Sequence, residues 1–224
     1  MPIYFHKEKD PFGEFSNFYP CRFEICARNV LNDWEFDGSD SENDDADETW
    51  KSHNSLTFGD DSSTALVDKV VTVYSAEQGI AWMKAVLMKD DETALLIEQT
   101  HSPKKCHELS NETKNFDEKK WKEWRQDIAE YIITEKFNSS DHLRSVLEKT
   151  EGYSIAEASA DDKVWGIGIG KKKALKGAKW RGENLLGRTL MAVRDNRING
   201  VEPSFLDRRV YWSRAFHKRG KQRL

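Results

Sequence analysis

The sequence contains no apolar run of the roughly 20 residues that a membrane-spanning helix needs. Its beginning also lacks the basic start and the long apolar segment of a secretory signal. These absences predict an intracellular, cytoplasmic protein without a membrane partner, and they are compatible with a nuclear location.

Cysteine is scarce, and Cys21, Cys26 and Cys106 are the whole set. An odd number of cysteines cannot form a fully paired disulfide framework, and these three lack the ligand spacing of a zinc site. We interpret them as small, partly buried thiols. We therefore expect no metal and no cofactor.

One domain of ordinary size is the simplest interpretation of 224 residues. The 38% hydrophobic and 33% charged content is typical of a soluble protein with a heavily charged surface. Apolar patterns predict strands at residues 2–5, 22–25, 70–74 and 154–158, and helices at 75–88, from 116 onward, from 140 to Gly152 and at 183–194. The excess of helix predicts an α+β fold, a helix-rich single domain with a small β-sheet.

Charge is distributed unevenly, although the net charge is only −4. Residues 37–48 form an acidic, weakly hydrophobic run that is typical of a solvated loop insertion. The C-terminus is basic, and no acid follows Asp207. Its cations could hold a phosphate backbone while Tyr211, Trp212 and Phe216 stack on bases, or the end is simply a solvated or docked tail.

Two charges interrupt the apolar face of the helix predicted at 75–88. Ser75 is the expected N-cap of a Ser-x-x-Gln capping box. Glu77 and Lys84 are seven positions apart, so both lie on the face that carries Ile80 and Leu87. Because an isolated buried charge costs several kcal/mol, this is either a structural ion pair or a site that meets a ligand or performs chemistry.

Polar groups beside aromatic rings and glycines recur at residues 13–18, 157–168 and 182–187. A ring can stack on a base there while backbone amides approach a phosphate, so we expect a nucleoside-type ligand. The candidate ligand-binding residues are Ser16, Asn17, Phe18, Glu157, Trp165, Gly166, Gly168 and Asn184.

Glycine and lysine then follow one another at residues 166–173. Gly166-x-Gly168-x-Gly170 lacks the spacing of a dinucleotide fingerprint. Residues 171–173 are all lysine, which we interpret as an exposed loop or as a site that steers a polyphosphate.

Several motifs occur in a characteristic order along the chain. They are Gly-Glu-Phe-Ser-Asn-Phe at 13–18, Ser-Ala-Glu-Gln at 75–78 with Lys84, Lys-Asn-Phe-Asp at 114–117 with Trp121, Lys-Phe at 136–137, Asp-x-x-Trp-Gly-x-Gly at 162–168, and Asn-x-x-Gly at 184–187. In this order they resemble the NADAR family, which includes the bacterial YbiA-like N-glycosidases. The resemblance extends from about Ile3 to Arg197.

This resemblance implies an α+β domain at residues 1–200, with an acidic insertion around 27–63 and a basic tail at 201–224. It also implies cleavage of an N-glycosidic bond to ribose or ADP-ribose. The two activities associated with the family are removal of ADP-ribose from guanine in nucleic acid and hydrolysis of early ribosylamino intermediates of riboflavin synthesis.

The resemblance also implies roles for individual residues. Lys84 would be the catalytic lysine, with Glu77 and Asp162 as the carboxylates beside it. Asn17, Phe18 and Trp165 would belong to the binding pocket. Many relatives have Gly-Arg where this sequence has Ser-Asn at 110–111, so a phosphate contact is absent or replaced.

The proposed chemistry is consistent with the residue types. Breaking the bond from ribose C1 to nitrogen develops positive charge on the sugar, which the carboxylate of Glu77 or Asp162 would stabilise. Lys84 has apolar neighbours that lower the pKa of its amine, so the neutral amine can attack C1 and form an imine.

We expect an enzyme that removes ADP-ribose from ADP-ribosylated guanine in nucleic acid or nucleotides. ADP-ribosylated DNA or RNA would then be a partner that binds through the basic tail. The alternatives are the riboflavin-type glycosidase, a non-catalytic ADP-ribose-binding module, and a nucleic-acid-binding protein without activity.

Overall fold

The structure is a computed structural model that describes residues 1–31 and 66–203. The predicted acidic run at 37–48 and all but the first three residues of the basic tail at 201–224 lie outside the described residues. Within the described ranges, no helix combines the length and the apolar character that a membrane span requires.

The strands form two small sheets. They are β1 (Ile3–Phe5), β2 (Phe23–Cys26), β3 (Val70–Val73) and β4 (Ile155–Glu157). β1 pairs with β4 in parallel, with Phe5 opposite Glu157, and β2 pairs with β3 in antiparallel fashion. The α+β prediction is confirmed, and its β-structure is divided between two sheets.

Helices make up nearly half of the described residues. They are α1 (Ala76–Leu87), α2 (Asp91–Glu98), α3 (Pro103–Asn111), α4 (Glu118–Asn138), α5 (Asp141–Glu148), α6 (Lys171–Leu175) and α7 (Leu185–Asn199). The sequence analysis did not predict α2 or α3. The prediction of an exposed loop at residues 171–173 is wrong, because these lysines form the first turn of α6. Helix α7 begins and ends later than the predicted range of 183–194.

Polar side chains begin most of the long helices. Ser75 accepts a hydrogen bond from the backbone N–H of Gln78 at 3.1 Å, which confirms the predicted N-cap. Asp90, Ser102, Asp117 and Ser140 cap α2 to α5 in the same way. The side chain of Gln78 departs from the expected capping box, because it accepts from the backbone N–H of Tyr74 rather than that of Ser75.

The main core surrounds α1, which packs against α2, α3 and α4. Trp82, Met83 and Leu87 of α1 are fully buried. Gly79 allows the close approach of α4, since a Cβ at this position would lie 3.0 Å from Ile132 Cδ1. The rigid packing of α1 fixes its first turn, where Glu77 lies.

A second, smaller cluster lies beside the parallel sheet. Its buried members are Ala156, Ala158, Ile167, Ile169 and Ala174. The partly buried rings of Tyr4 and Trp180 pack against it. This cluster attaches α6 to the sheet through Ala174.

Candidate active site

A cavity of about 460 Å³ opens where the ends of β1 and β4 meet the first turn of α1 and the side of α3. Its volume is in the range of small-molecule sites. The lining residues are His6, Lys7, Glu8, Ser16, Asn17, Phe18, Glu77, His107, Glu157, Asp162 and Trp165. The cavity therefore unites residues from six separate stretches of the sequence.

The parallel pairing of β1 and β4 brings His6 and Glu157 to one wall of the cavity. Strands that run in parallel end at the same edge of a sheet, and Glu157 is the last residue of β4 while His6 follows β1. The pairing continues one residue further, because the N–H of Ala158 donates to the carbonyl of Phe5 at 2.7 Å.

The segment 13–18 forms a second wall, which close backbone packing holds in place. Gly13 is required there, since a Cβ would lie only 2.1 Å from the carbonyl oxygen of Glu8. The N–H of Glu77 donates to the carbonyl of Asn17 at 2.9 Å and thereby ties this segment to α1. Ser16, Asn17 and Phe18, which the sequence predicted as ligand-binding residues, all line the cavity.

A fully buried lysine supports this segment from behind. The amine of Lys136 donates to the carbonyl of Ser16 at 2.7 Å and lies 5.6 Å from the centre of the Tyr19 ring. Burial lowers the pKa of Lys136 to about 8. The Lys-Phe motif at 136–137 marked this position in the sequence, but only the tertiary structure shows the contact.

The turn at 162–168 forms the third wall. One carboxylate oxygen of Asp162 accepts from the N–H groups of Val164 and Trp165, each at 2.8 Å, and this fixes the turn. A Cβ at Gly166 would lie 2.9 Å from Ser159 Cβ, and Gly168 has a φ of +65°. Asp162 and Trp165 line the cavity, whereas the two glycines shape the backbone beside it.

Asn184 has a supporting position. Its side chain is buried, accepts from the N–H of Glu157 at 3.0 Å and donates to the carbonyl of Ile155 at 2.9 Å. Asn184 is not among the residues that line the cavity. Its observed contacts therefore hold β4, and with it Glu157, in place.

Four residues with carboxyl groups line the cavity, and Glu77, Glu157 and Asp162 are the three that the sequence predicted; the fourth is Glu8. Burial, together with smaller contributions from the charges of Asp162 and Glu77, raises the pKa of Glu157 to about 8. Glu157 therefore keeps its proton at neutral pH. A neutral carboxylic acid beside other carboxylates is the arrangement that a general acid needs.

His107 on α3 is a site residue that the sequence analysis missed. Its Nδ1 lies 2.7 Å from a carboxylate oxygen of Glu77, and the two side chains are 57% and 15% exposed. This hydrogen bond raises the pKa of His107, and burial opposes part of the rise. The only signal in the sequence was a histidine in a helix that had not been predicted.

Lys84 lies close to the cavity but is not among its lining residues. Its amine donates to the carbonyl of Ser110 at 2.7 Å and lies 4.5 Å from the centre of the Phe116 ring. Burial lowers the pKa of Lys84, and the charge of Glu77 opposes this effect. Glu77 makes its direct contact with His107, so the ion pair that α1 could have formed internally is not observed.

Buried polar atoms without partners indicate a site for a polar ligand. Nδ1 of His6, Oδ1 of Asn17 and Oε2 of Glu157 are buried and have no hydrogen-bond partner among the described residues. All three belong to residues that line the cavity. Because buried polar groups are nearly always paired, a polar ligand is the natural partner for this set.

The geometry can be compared with known proteins. A family model described as the NADAR domain matches residues 4–197. The chain belongs to the NADAR family. The match spans all three walls of the cavity.

Several curated proteins are similar to this NADAR protein. Protein irg-1 of Caenorhabditis elegans is 29% identical over 186 residues, which are 81% of this chain and 74% of that protein. A protein of Acanthamoeba polyphaga mimivirus, named an N-glycosidase, is 34% identical over 123 residues, or 54% of this chain and 72% of that protein. A second protein named an N-glycosidase, from Nostoc punctiforme, is 26% identical over 199 residues, or 89% of this chain and 94% of that protein.

The solved structure of the Escherichia coli protein YbiA has a similar fold. The TM-score is 0.57 at 19% sequence identity, and the match covers 88% of this chain and 85% of YbiA. Membership of the NADAR family, together with relatives named N-glycosidases, supports N-glycosidase activity.

Proposed function

We propose that this NADAR protein is an N-glycosidase that removes ADP-ribose from ADP-ribosylated guanine in nucleic acid or nucleotides. The observation that carries the proposal is the partly buried Glu157, whose pKa is raised to about 8 and which lies with Glu77 and Asp162 in one cavity. The aromatic side chains of Phe18 and Trp165 line the same cavity and provide surfaces for a base or sugar.

The carboxyl groups have different roles in bond cleavage. When the bond from C1 to the base nitrogen breaks, its electron pair passes to the nitrogen, which takes the proton of Glu157. Positive charge develops on the sugar at the same time. The carboxylates of Glu77 and Asp162 stabilise this charge more in the transition state than in the ground state.

Lys84 supplies the nucleophile. Its lowered pKa increases the fraction of neutral amine, and its flexible stem lets the amine leave the Ser110 carbonyl and approach C1. The amine bonds to C1, the sugar ring opens, and the amine proton passes to the ring oxygen to leave an imine. Water then hydrolyses the imine, which releases ADP-ribose and Lys84, and Glu157 recovers a proton.

One incubation tests the substrate and the reaction together. The purified protein is mixed with ADP-ribosylated guanosine or with a ribosylamino-pyrimidine phosphate, and release of the free base is followed by mass spectrometry. We expect release from ADP-ribosylated guanosine. Release from the pyrimidine phosphate alone would support the riboflavin-type activity, and binding without release would support a non-catalytic module.

A trapping experiment tests the covalent step. Borohydride added during turnover reduces an imine to a stable amine, so the peptide that contains Lys84 should gain the mass of the reduced sugar adduct. If an active enzyme gives no adduct, direct attack by water with a carboxylate as the base replaces the lysine mechanism.

A further inference from the structure

A short segment beside the cavity concentrates positive charge. Residues 171–181 contain five lysines and one arginine and no acidic residue, in a chain whose net charge is −4. We name residues 171–181 the basic segment. Its cations are Lys171, Lys172, Lys173, Lys176, Lys179 and Arg181.

The cations of the basic segment are available to a partner. All of them are exposed except Lys171, which is partly buried. None of them forms an ion pair with a described residue. Like charges so close together repel one another, so a polyanion that neutralises several of them at once would bind favourably.

The basic segment is held firmly at both ends. Near its beginning Ala174 is buried in the small apolar cluster, and near its end the Trp180 ring packs edge-on against Tyr4 with 6.4 Å between the ring centres. At its end the N–H groups of Arg181 and Gly182 donate to the carbonyl of Ile167 at 2.8 and 2.9 Å. The positive charges therefore have a fixed place in the fold.

The same hydrogen bonds place the end of the segment against the turn at 162–168, which forms the third wall of the cavity. Ile167 is two residues from Trp165, which lines the cavity, and the reach of two extended residues is about 7 Å. A strand whose modified nucleotide entered the cavity would have its neighbouring phosphates near this surface.

We propose that the basic segment binds the phosphate backbone of the nucleic acid strand that carries the modified base. This proposal rests on the proposed function for the position of the base, but the contact itself can be measured without turnover. Lysine and arginine contacts to phosphates add affinity that depends on salt and not on sequence. The surface would make nucleic acid a better substrate than a free nucleotide.

Direct binding tests the proposal in the full-length protein. One variant carries Lys172→Gln, Lys173→Gln, Lys176→Gln and Lys179→Gln. The matched control carries the same change at four exposed lysines elsewhere, Lys104, Lys119, Lys122 and Lys149. Both have the same net charge, so a difference between them reports on position. Fluorescently labelled single-stranded DNA and RNA, without modification, are the probes, and fluorescence anisotropy gives the affinities at several salt concentrations.

We expect the segment variant to bind the oligonucleotides about tenfold or more weakly than the control variant. The slope of log affinity against log salt concentration should become shallower by up to about 3, which corresponds to four lost contacts to a single strand. Equal affinities and equal slopes for the two variants would overturn the proposal. So would loss of binding to anionic phosphatidylserine vesicles in the segment variant while oligonucleotide binding is unchanged.

A parallel measurement separates this proposal from the proposed function. The wild-type protein is assayed for base release from ADP-ribosylated guanosine. If the base is not released but the segment variant loses oligonucleotide affinity, the glycosidase assignment fails and the nucleic-acid surface stands. If the base is released and the two variants bind equally, only the nucleic-acid surface fails.

Discussion

Some buried polar atoms in the lining of the cavity lack a partner in the described part of the chain, whereas two polar side chains in the layer behind it are paired with the backbone. In the lining, buried polar atoms of His6, Asn17 and Glu157 have no partner among the described residues. In the layer behind, Lys136 binds the carbonyl of Ser16, and the Asn184 side chain binds the backbone on both sides of Ala156. The supporting layer is thus satisfied by the protein itself.

This difference separates two kinds of role. A satisfied buried polar group fixes the backbone that it contacts and contributes to stability. An unsatisfied one costs stability and is retained where a ligand completes it. Substitutions in the lining should therefore reduce activity with little loss of stability. Substitutions in the layer behind should mainly alter stability.

Lys84 does not fit this division. Its hydrogen bond to Ser110 places it in the satisfied layer, but the proposed mechanism makes it the nucleophile. Lys84→Met should lower kcat by at least about a thousandfold, the scale seen when a nucleophile is removed. The measurement is single-turnover base release. The control is Lys120→Met, because Lys120 is another lysine whose pKa burial lowers.

Two results would show that the assignment of Lys84 is wrong. Activity within about tenfold of the wild type would leave Lys84 a supporting role only. An equal loss in the Lys120→Met control would show that the assay responds to any partly buried lysine.

Glu157→Gln should lower kcat by about a hundredfold, because the amide cannot donate the proton that the leaving base needs. In the wild type, activity should fall as the pH rises through about 8, where Glu157 loses its proton. This alkaline limb should be absent from the residual activity of the variant. An unchanged limb would assign it to another group.

The stability of the wild type should depend on the same proton. Folded Glu157 holds its proton up to about pH 8, whereas the ordinary value of the unfolded side chain is 4.5. The folded state therefore binds more protons between these values, and the free energy of unfolding should fall as the pH rises from 4.5 to 8. In urea titrations, the difference in free energy of unfolding between wild type and Glu157→Gln should change with pH only in this window.

Lys136 provides a test of the layer behind the lining. The folded state loses the Lys136 proton near pH 8, whereas the unfolded chain keeps it to about 10.5, so the unfolded state binds more protons in between. The free energy of unfolding should rise across that window by on the order of 3 kcal/mol relative to Lys136→Met. Parallel slopes for the two proteins would mean that Lys136 keeps its charge when folded.

His107 should give the smallest effect. Its side chain is more than half exposed, and exposed ion pairs contribute little, so His107→Gln should lower kcat/KM by only about threefold. The loss should be larger at low pH, because the pKa of His107 is raised and the histidine is charged there. A loss as large as that of Glu157→Gln would place His107 in the chemical step itself.

Local sequence signals predicted much of the fold. The Ser75 cap, the long helix α4 and the strand β4 follow from a capping residue and from apolar periodicity, which act over a few neighbouring residues. The short helices α2 and α3 were missed, because eight or nine residues contain few repeats of an apolar pattern. His107 was missed with α3, because a helix has to be placed before the direction of its side chains can be considered.

The candidate site could be predicted in composition but not in arrangement. Ser16, Asn17, Phe18, Glu77, Glu157, Asp162 and Trp165 were expected from the sequence, and the cavity unites them. The supporting position of Asn184 and the contact between Lys84 and Ser110 join residues that are 26 or more positions apart. No local pattern contains such contacts.

The sequence by itself determined the family, the class of fold and the residue types available for chemistry, because motifs and periodicity depend only on the order of neighbouring residues. The tertiary structure alone decided which carboxyl group keeps its proton. That outcome depends on how deeply Glu157 is buried and on its nearness to Glu77 and Asp162. Both are properties of distance in space, which folding sets and chain order does not.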